Sequence, residues 1–146
     1  QIQKFINQSL KSDVVPSLVA IHSFTPVYLG KPRKWHIGIL QRSDQRLSSL
    51  FIKEIKKNKN IMLGINQPYK LDLTGDFTIP FFSESYGLPN VMIEIRQDLL
   101  LQDRSINFWA NFITKILMRN YKNEKLKYCL KSSNRITKYY RERNKL

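Results

Sequence analysis

The residues best placed to do chemistry in this 146-residue chain are His22 and Glu94. His22 follows the apolar run Leu18-Val19-Ala20-Ile21, and Glu94 interrupts Val91-Met92-Ile93-Glu94-Ile95. An imidazole at a strand's end can serve as a base or hold a metal; a lone histidine is more often buried and bonded to backbone. A carboxylate inside a strand buried on both faces carries a large desolvation cost unless it is paired or coordinated. It is then either one half of an ion pair or a general base tuned by burial and a nearby cation. Arg96 shares the strand face of Glu94 two positions on, so Glu94–Arg96 or Arg96–Asp98 is the structural alternative. Arg33 lies in Gly30-Lys31-Pro32-Arg33, a loop shaped by glycine and proline. Its planar fork suits a substrate carboxylate, although a solvated surface arginine reads the same way. Asn66-Gln67-Pro68-Tyr69 offers amide and phenol donors, or a plain turn with a packed tyrosine.

The elements that must position these groups are legible from periodicity. Ile2, Phe5, Ile6 and Leu10 recur at helical spacing. Strands are expected over 18–21, 35–40, 61–65 and 91–96. Between them lie a loop over 23–34 and a helix over 44–57, with Leu47, Leu50, Phe51 and Ile55 inward. A long irregular stretch over 70–90 is of a kind that is usually a functional loop or lid. A strong amphipathic helix is expected over 103–120, with Ile106, Trp109, Ile113, Ile116 and Leu117 on its core face. Residues 123–143 continue as a basic helical tail. Strands alternating with helices imply an α/β fold with a mixed, partly parallel sheet flanked by helices. Ligands in such sheets sit beyond the carboxyl ends of the strands, where His22, Asn66 and Arg96 all fall. Two regions result, a domain over 1–118 and a basic tail over 119–146. The chain starts with Gln1, in mid-pattern and with no clear helix cap, which reads as the back part of a larger domain.

Composition narrows the function. The net charge is +14, and residues 119–146 hold ten basic and two acidic side chains. Such a tail, with Tyr128, Tyr139 and Tyr140, could hold nucleic acid. Against this, lysine outnumbers arginine 16 to 9, arginine being the better phosphate and base reader. No recognised RNA- or DNA-binding motif is present, so nucleic acid is the disfavoured partner and a solvated tail the plainer reading. No apolar run is long enough to cross a membrane. Cys129 is the sole cysteine, which excludes an internal disulfide and fits a reducing, cytoplasmic setting. With two histidines and one cysteine, a closed structural zinc site is disfavoured. There is no GxGxxG, GxxxxGK[ST], HExxH, CxxC pair or GxSxG.

Several blocks, in order, resemble the N-formylglutamate amidohydrolase family. They are Ile21-His-Ser-Phe-Thr-Pro-Val27, Gly30-Lys-Pro-Arg-Lys-Trp-His-Ile-Gly-Ile-Leu40, Asn66-Gln-Pro-Tyr69, Thr78-Ile-Pro80, Gly87-Leu-Pro89, Ile93-Glu-Ile-Arg-Gln-Asp-Leu99 and Trp109-Ala110. The resemblance spans roughly residues 15–115 and implies a zinc-dependent, carboxypeptidase-like amidohydrolase. Such enzymes release formate and L-glutamate from N-formyl-L-glutamate, late in histidine degradation. By the same resemblance His22 is the third Zn2+ ligand and Glu94 the base that activates water. Arg33, Asn66, Tyr69 and Arg96 hold the substrate, a small N-acyl amino acid, or position Glu94. The family's other two zinc ligands and its Asn-Arg substrate motif belong to a front half absent from these residues. His36 begins the far end of its strand from the expected site, and Phe82 stands where many relatives carry histidine. The resemblance therefore implies a fragment that is inactive alone and is completed by a separate N-terminal piece. The alternatives are a non-catalytic relic of the family and the basic nucleic-acid-binding module.

Overall fold

The computed structural model describes residues 1–131, 138, 139 and 142. Helix α1 (Ile2–Lys11) leads through a turn into β1 (Leu18–Phe24). A small antiparallel hairpin, β2 (Val27–Tyr28) and β3 (Lys31–Pro32), turns at Leu29 and Gly30, both at positive φ. Then follow β4 (Ile37–Leu40), α2 (Arg46–Ile55), β5 (Leu63–Ile65), α3 (Thr78–Phe82), β6 (Asn90–Arg96) and α4 (Asp103–Asn120). The main sheet runs β1-β6-β4-β5, with β1 parallel to β6, β4 antiparallel to β6, and β5 parallel to β4. This is the expected mixed, partly parallel α/β sheet flanked by helices. Among the described residues no helix is long and apolar enough to cross a membrane.

The two sheet faces follow from the period-2 alternation of strands. Val91, Ile93 and Ile95 of β6 and Ile37 and Ile39 of β4 join Leu47, Phe51 and Ile55 of α2 and Trp109, Ile113 and Ile116 of α4 in the main core. On the opposite face Ala20, Leu40, Met92, Leu71 and Ile79 form a smaller core beneath α3. At the β5 end of that face the Asn66–Tyr69 segment covers the strands in place of a helix.

Two buried acids lock the connections. Glu84 accepts from Arg42 Nε (2.9 Å), from the Ser43 amide (3.1 Å), and from Arg42 Nη2 and Ser43 Oγ. Asp44 is paired with Arg46, whose Nη2 also donates to Gly87 O (2.8 Å) and whose Nη1 donates to Tyr128 O and Lys125 O. Arg46 thereby straps the chain beyond α4 back onto the domain.

Three expectations are corrected. Ile106 is 45% exposed rather than inward. Residues 70–90 contain α3 and a 3-10 turn at Glu84–Tyr86, because Thr78-Ile-Pro-Phe-Phe82 anchors Ile79 and Pro80 in the minor core. Over 121–131 the tail is not the expected helix: a short 3-10 turn, Glu124–Leu126, precedes an irregular run to Lys131, fixed by Leu126 packing into the main core and by Leu130 N–H donating to Gly87 O (2.8 Å). Positions 138, 139 and 142 are helical; the rest of the expected tail helix past 131 lies outside the described residues.

Candidate active site

One row of residues crosses the sheet. His22 of β1 is in register with Glu94 of β6, Glu94 with Gly38 of β4, and Gly38 with Gly64 of β5. Register partners on adjacent strands project to the same face, so His22 and Glu94 stand side by side. His22 is exposed on the edge strand, whereas Glu94 is 4% exposed. The two glycines open a trough for the returning Asn66–Tyr69 segment. A Cβ on Gly38 would stand 2.1 Å from Gln67 O and 3.3 Å from Glu94 Cβ; one on Gly64 would stand 2.8 Å from Gln67 Cβ. Only glycine admits that approach. A glycine inside the apolar run Ile37-Gly38-Ile39 is the sequence signal for it.

Because β4 and β5 run against β6, their carboxyl ends point the other way, and Asn66 does not join Arg96 at one rim. Asn66 instead takes a positive φ, and its Oδ1 accepts from the Gln41 amide (2.8 Å), tying off the end of β4. The chain then doubles back through Gln67 and a cis Pro68 to deliver Tyr69. There the Tyr69 hydroxyl accepts from Arg33 Nη1 (2.9 Å), which also donates to Thr25 Oγ1 (3.3 Å). The Arg33 guanidinium lies 4.6 Å from the Tyr28 ring centre and 4.9 Å from that of Tyr69. Its Nε and Nη2 donate to no group among the described residues.

Arg96 does not pair with Glu94. It grips Asp98 with Nε (2.7 Å) and Nη2 (3.1 Å), while Nη1 donates to the carbonyls of Arg33 and Lys34, both at 3.2 Å. It is a strap that fastens the Arg33 loop to the end of β6. The hydrogen bond from Arg96 holds the Asp98 carboxyl below its ordinary value. His36 lies level with Arg96, since β4 begins where β6 ends, and its Nδ1 accepts from the Met62 amide (3.1 Å). Phe82 packs edge-on against Phe77 and Phe81.

Glu94 Oε2 is buried and without a partner among the described residues. Burial pushes its carboxyl above the ordinary value; His22 and Arg33 pull it back, and Asp76 adds to the rise. Asp76 was not singled out in the sequence. Its loop is folded by Asp72, whose Oδ1 accepts from the amides of Thr74 and Gly75, both at 2.7 Å. The site thus joins a buried, unpaired carboxylate, an exposed imidazole and an arginine with donors to spare. That set can move a proton and hold an anion. It does not close a metal centre: among the described residues no three His, Cys, Asp or Glu side chains could share an ion.

The fold is a mixed, partly parallel α/β sheet flanked by helices, and comparison with known proteins supplies the family. The family model of the N-formylglutamate amidohydrolases matches residues 1–101, and the chain belongs to that family. Its fold is similar to the crystal structure of a gene product of Agrobacterium tumefaciens, with a TM-score of 0.71 and 30% identity. That likeness covers 83% of this chain and 49% of the other, so the chain spans about half the length of its structural relative. No curated protein matches.

Proposed function

We propose that this chain carries the proton-handling half of an amide hydrolase site for N-formyl-L-glutamate, acting in the cytoplasm in histidine degradation. The supporting observation is Glu94: buried, unpaired at Oε2 and in register with exposed His22. Its raised proton affinity suits a base working near neutral pH. In this reading the Glu94 carboxylate takes a proton from water as the oxygen attacks the formyl carbon. The same proton passes to the amide nitrogen, the C–N bond breaks, and formate and glutamate leave. Arg33 offers Nε and Nη2 to a substrate carboxylate, with Tyr69 and Tyr28 fixing its plane. Arg96 and Asn66 act by position, one fastening the Arg33 loop and the other setting the path to Tyr69.

Zn2+ is the cofactor that the family resemblance implies. The described residues do not fit it by themselves, since His22 has no companion ligands near enough. No step is routed through it, and this chain's own groups are proposed to be inactive without further donors.

The test is formate release from N-formyl-L-glutamate with Zn2+ present. It is run on the chain alone and on the chain mixed with the part of the Agrobacterium protein outside the matched share. Turnover is expected only in the mixture and falls ~10²–10⁴-fold with Glu94→Gln. Full turnover in that variant removes Glu94 as the base. An inert mixture favours the non-catalytic relic, the reading to which the incomplete donor set points.

A further inference from the structure

The helical layer carries positive charge that the proposed site does not use. Phe108, Phe112, Lys115 and Arg119 recur at spacings of four, three and four along α4, so they fall on one line of the helix. The end of α2 borders this line, and between them lies a groove of about 490 Å³ lined by Glu54, Lys57, Lys59, Phe112, Lys115 and Arg119. Glu54 is the acid among them. Its side chain is 13% exposed and is committed to Lys57 and to Arg119 Nη1 (3.2 Å). Lys59 and Lys115 are exposed and pair with no acid among the described residues. Lys53 and Lys56 add charge on the outer face of α2. Lysines in the last turn of α2 answer the negative end of that helix. Lys59, past the helix, and Lys115, inside α4, have no such reason to be there. At the other end of the line Phe108 and Phe112 stack, with ring centres 5.9 Å apart and planes 6° from parallel, and Phe108 is 49% exposed.

We propose that this groove binds single-stranded nucleic acid without sequence preference. Phosphates lie against Lys57, Lys59, Lys115 and Arg119, and a base stacks on the Phe108 ring, where the line of α4 runs on past the groove. Cations along a groove with an exposed aromatic face at its end are what such binding requires. The scarcity of arginine weighs against reading base edges. Phosphate attraction and stacking read none, and the point charge of lysine serves the first. Of these cations only Arg119 belongs to residues 119–146, so the surface is distinct from the basic tail. A second copy is a poor occupant, because each chain carries a net charge of +14 and would present the same cations. A flat anionic bilayer cannot follow a concave groove down to the half-buried Phe112. An acidic polypeptide answers the cations but gives the flat face of Phe108 no role. Val91, Ile93 and Ile95 of β6 face α2 and α4, and Glu94 alternates to the other side, so the inference stands apart from the amidohydrolase reading.

The experiment follows the anisotropy of fluorescein-labelled oligo(dT) and oligo(U) titrated with the full chain, between about 50 and 200 mM salt. Both are expected to bind, with log K falling linearly against log salt. Lys115→Gln flattens that slope by about 0.7, the share of one phosphate on a single strand. Lys4→Gln, the same charge change at an exposed position on α1, leaves the slope as it is. Phe108→Ala weakens binding about fivefold or more at an unchanged slope. Phe108→Leu keeps an apolar side chain but has no ring face, and it weakens binding in the same way. Circular dichroism and melting temperature show that each variant is folded like the parent. Absence of binding at the lowest salt overturns the proposal. So do equal effects of Lys4→Gln and Lys115→Gln, which make net charge the cause. Parent affinity in both Phe108 variants places the contact elsewhere in the chain and overturns it as well. Poly-L-glutamate that competes as well as unlabelled oligonucleotide at matched charge assigns the groove to an acidic polypeptide instead.

Discussion

Gly38→Ala tests the trough that positions the site. The added methyl would sit 2.1 Å from Gln67 O and 3.2 Å from Gln67 C, with Glu94 Cβ at 3.3 Å on its other side. Carbon–oxygen contact needs about 3 Å or more, so the carbonyl must retreat by roughly 1 Å. The methyl cannot move instead, because Gly38 is clamped between β5 and β6. Overpacking of this kind costs about 1–3 kcal/mol. For a chain of this size that lowers the melting temperature by roughly 2–12 °C. The displaced carbonyl belongs to the segment that delivers Tyr69, so the Arg33–Tyr69 hydrogen bond lengthens as well. The assay is thermal and urea unfolding of the parent, Gly38→Ala and Gly75→Ala. At Gly75 an added Cβ meets only Asp72 Oδ1, at 3.7 Å, so that variant is the control and shifts by less than about 0.5 kcal/mol. Equal melting temperatures for the parent and Gly38→Ala would refute the trough.

Glu94→Gln stabilises the fold at neutral pH, by about 1–3 kcal/mol, because it removes an uncompensated buried charge. A carboxyl whose proton affinity is raised by folding gives stability that is present at low pH and lost as pH rises. The gain from glutamine therefore vanishes below the ordinary carboxyl value of 4.5 and grows above it; urea midpoints between pH 4 and 8 check this, and a pH-independent difference contradicts it. His22→Ala removes an attraction that holds the Glu94 proton affinity down, so the Glu94 carbon resonance titrates at higher pH than in the parent. Arg46→Ala leaves Asp44 buried without its guanidinium and removes the side-chain bonds to the Tyr128 and Gly87 carbonyls. The cost is about 3–5 kcal/mol, and limited proteolysis then cuts between Asn123 and Lys131.

Elements are legible in the sequence where apolar periodicity is strong. The helix expected over 103–120 is α4 residue for residue, because Trp109, Ile113 and Ile116 hold one face against the sheet. Elements and their contacts are not legible where structure depends on partners distant in the chain. Ile106 looks inward by spacing, yet it is 45% exposed and no element among the described residues covers it. The direction of β4 could not be read from its residues, and that direction separates Asn66 from Arg96. Of the two ion pairs that form the structural alternative for Arg96, the one with Asp98 is made, because the Arg33 and Lys34 carbonyls draw the guanidinium to the strand's end. The burial of Glu94 was legible from Val91-Met92-Ile93 and Ile95 around it. Asp76 was not, since only the folded loop brings it to face Glu94.

The chain contains its own standard for judging Glu94. Glu84 and Asp44 are also buried acids, at 5% and 4% exposure, and both are fully answered. Each has an arginine and a backbone amide, and Glu84 a hydroxyl as well. That is how this sequence buries a carboxylate for structure, and the partners return most of the desolvation cost. Glu94 is as deep, at 4%, yet Oε2 has no donor among the described residues. Arg96, two residues away on the same strand face, could have supplied one and is instead committed to Asp98 and the Arg33 loop. A structural acid in this position would take that arginine. An acid that must exchange a proton with a ligand cannot, because a fixed guanidinium would hold it ionised and occupy the oxygen that reacts. The unmet oxygen is thus a departure from the pattern of the buried acids Glu84 and Asp44, and such departures are expected at functional sites.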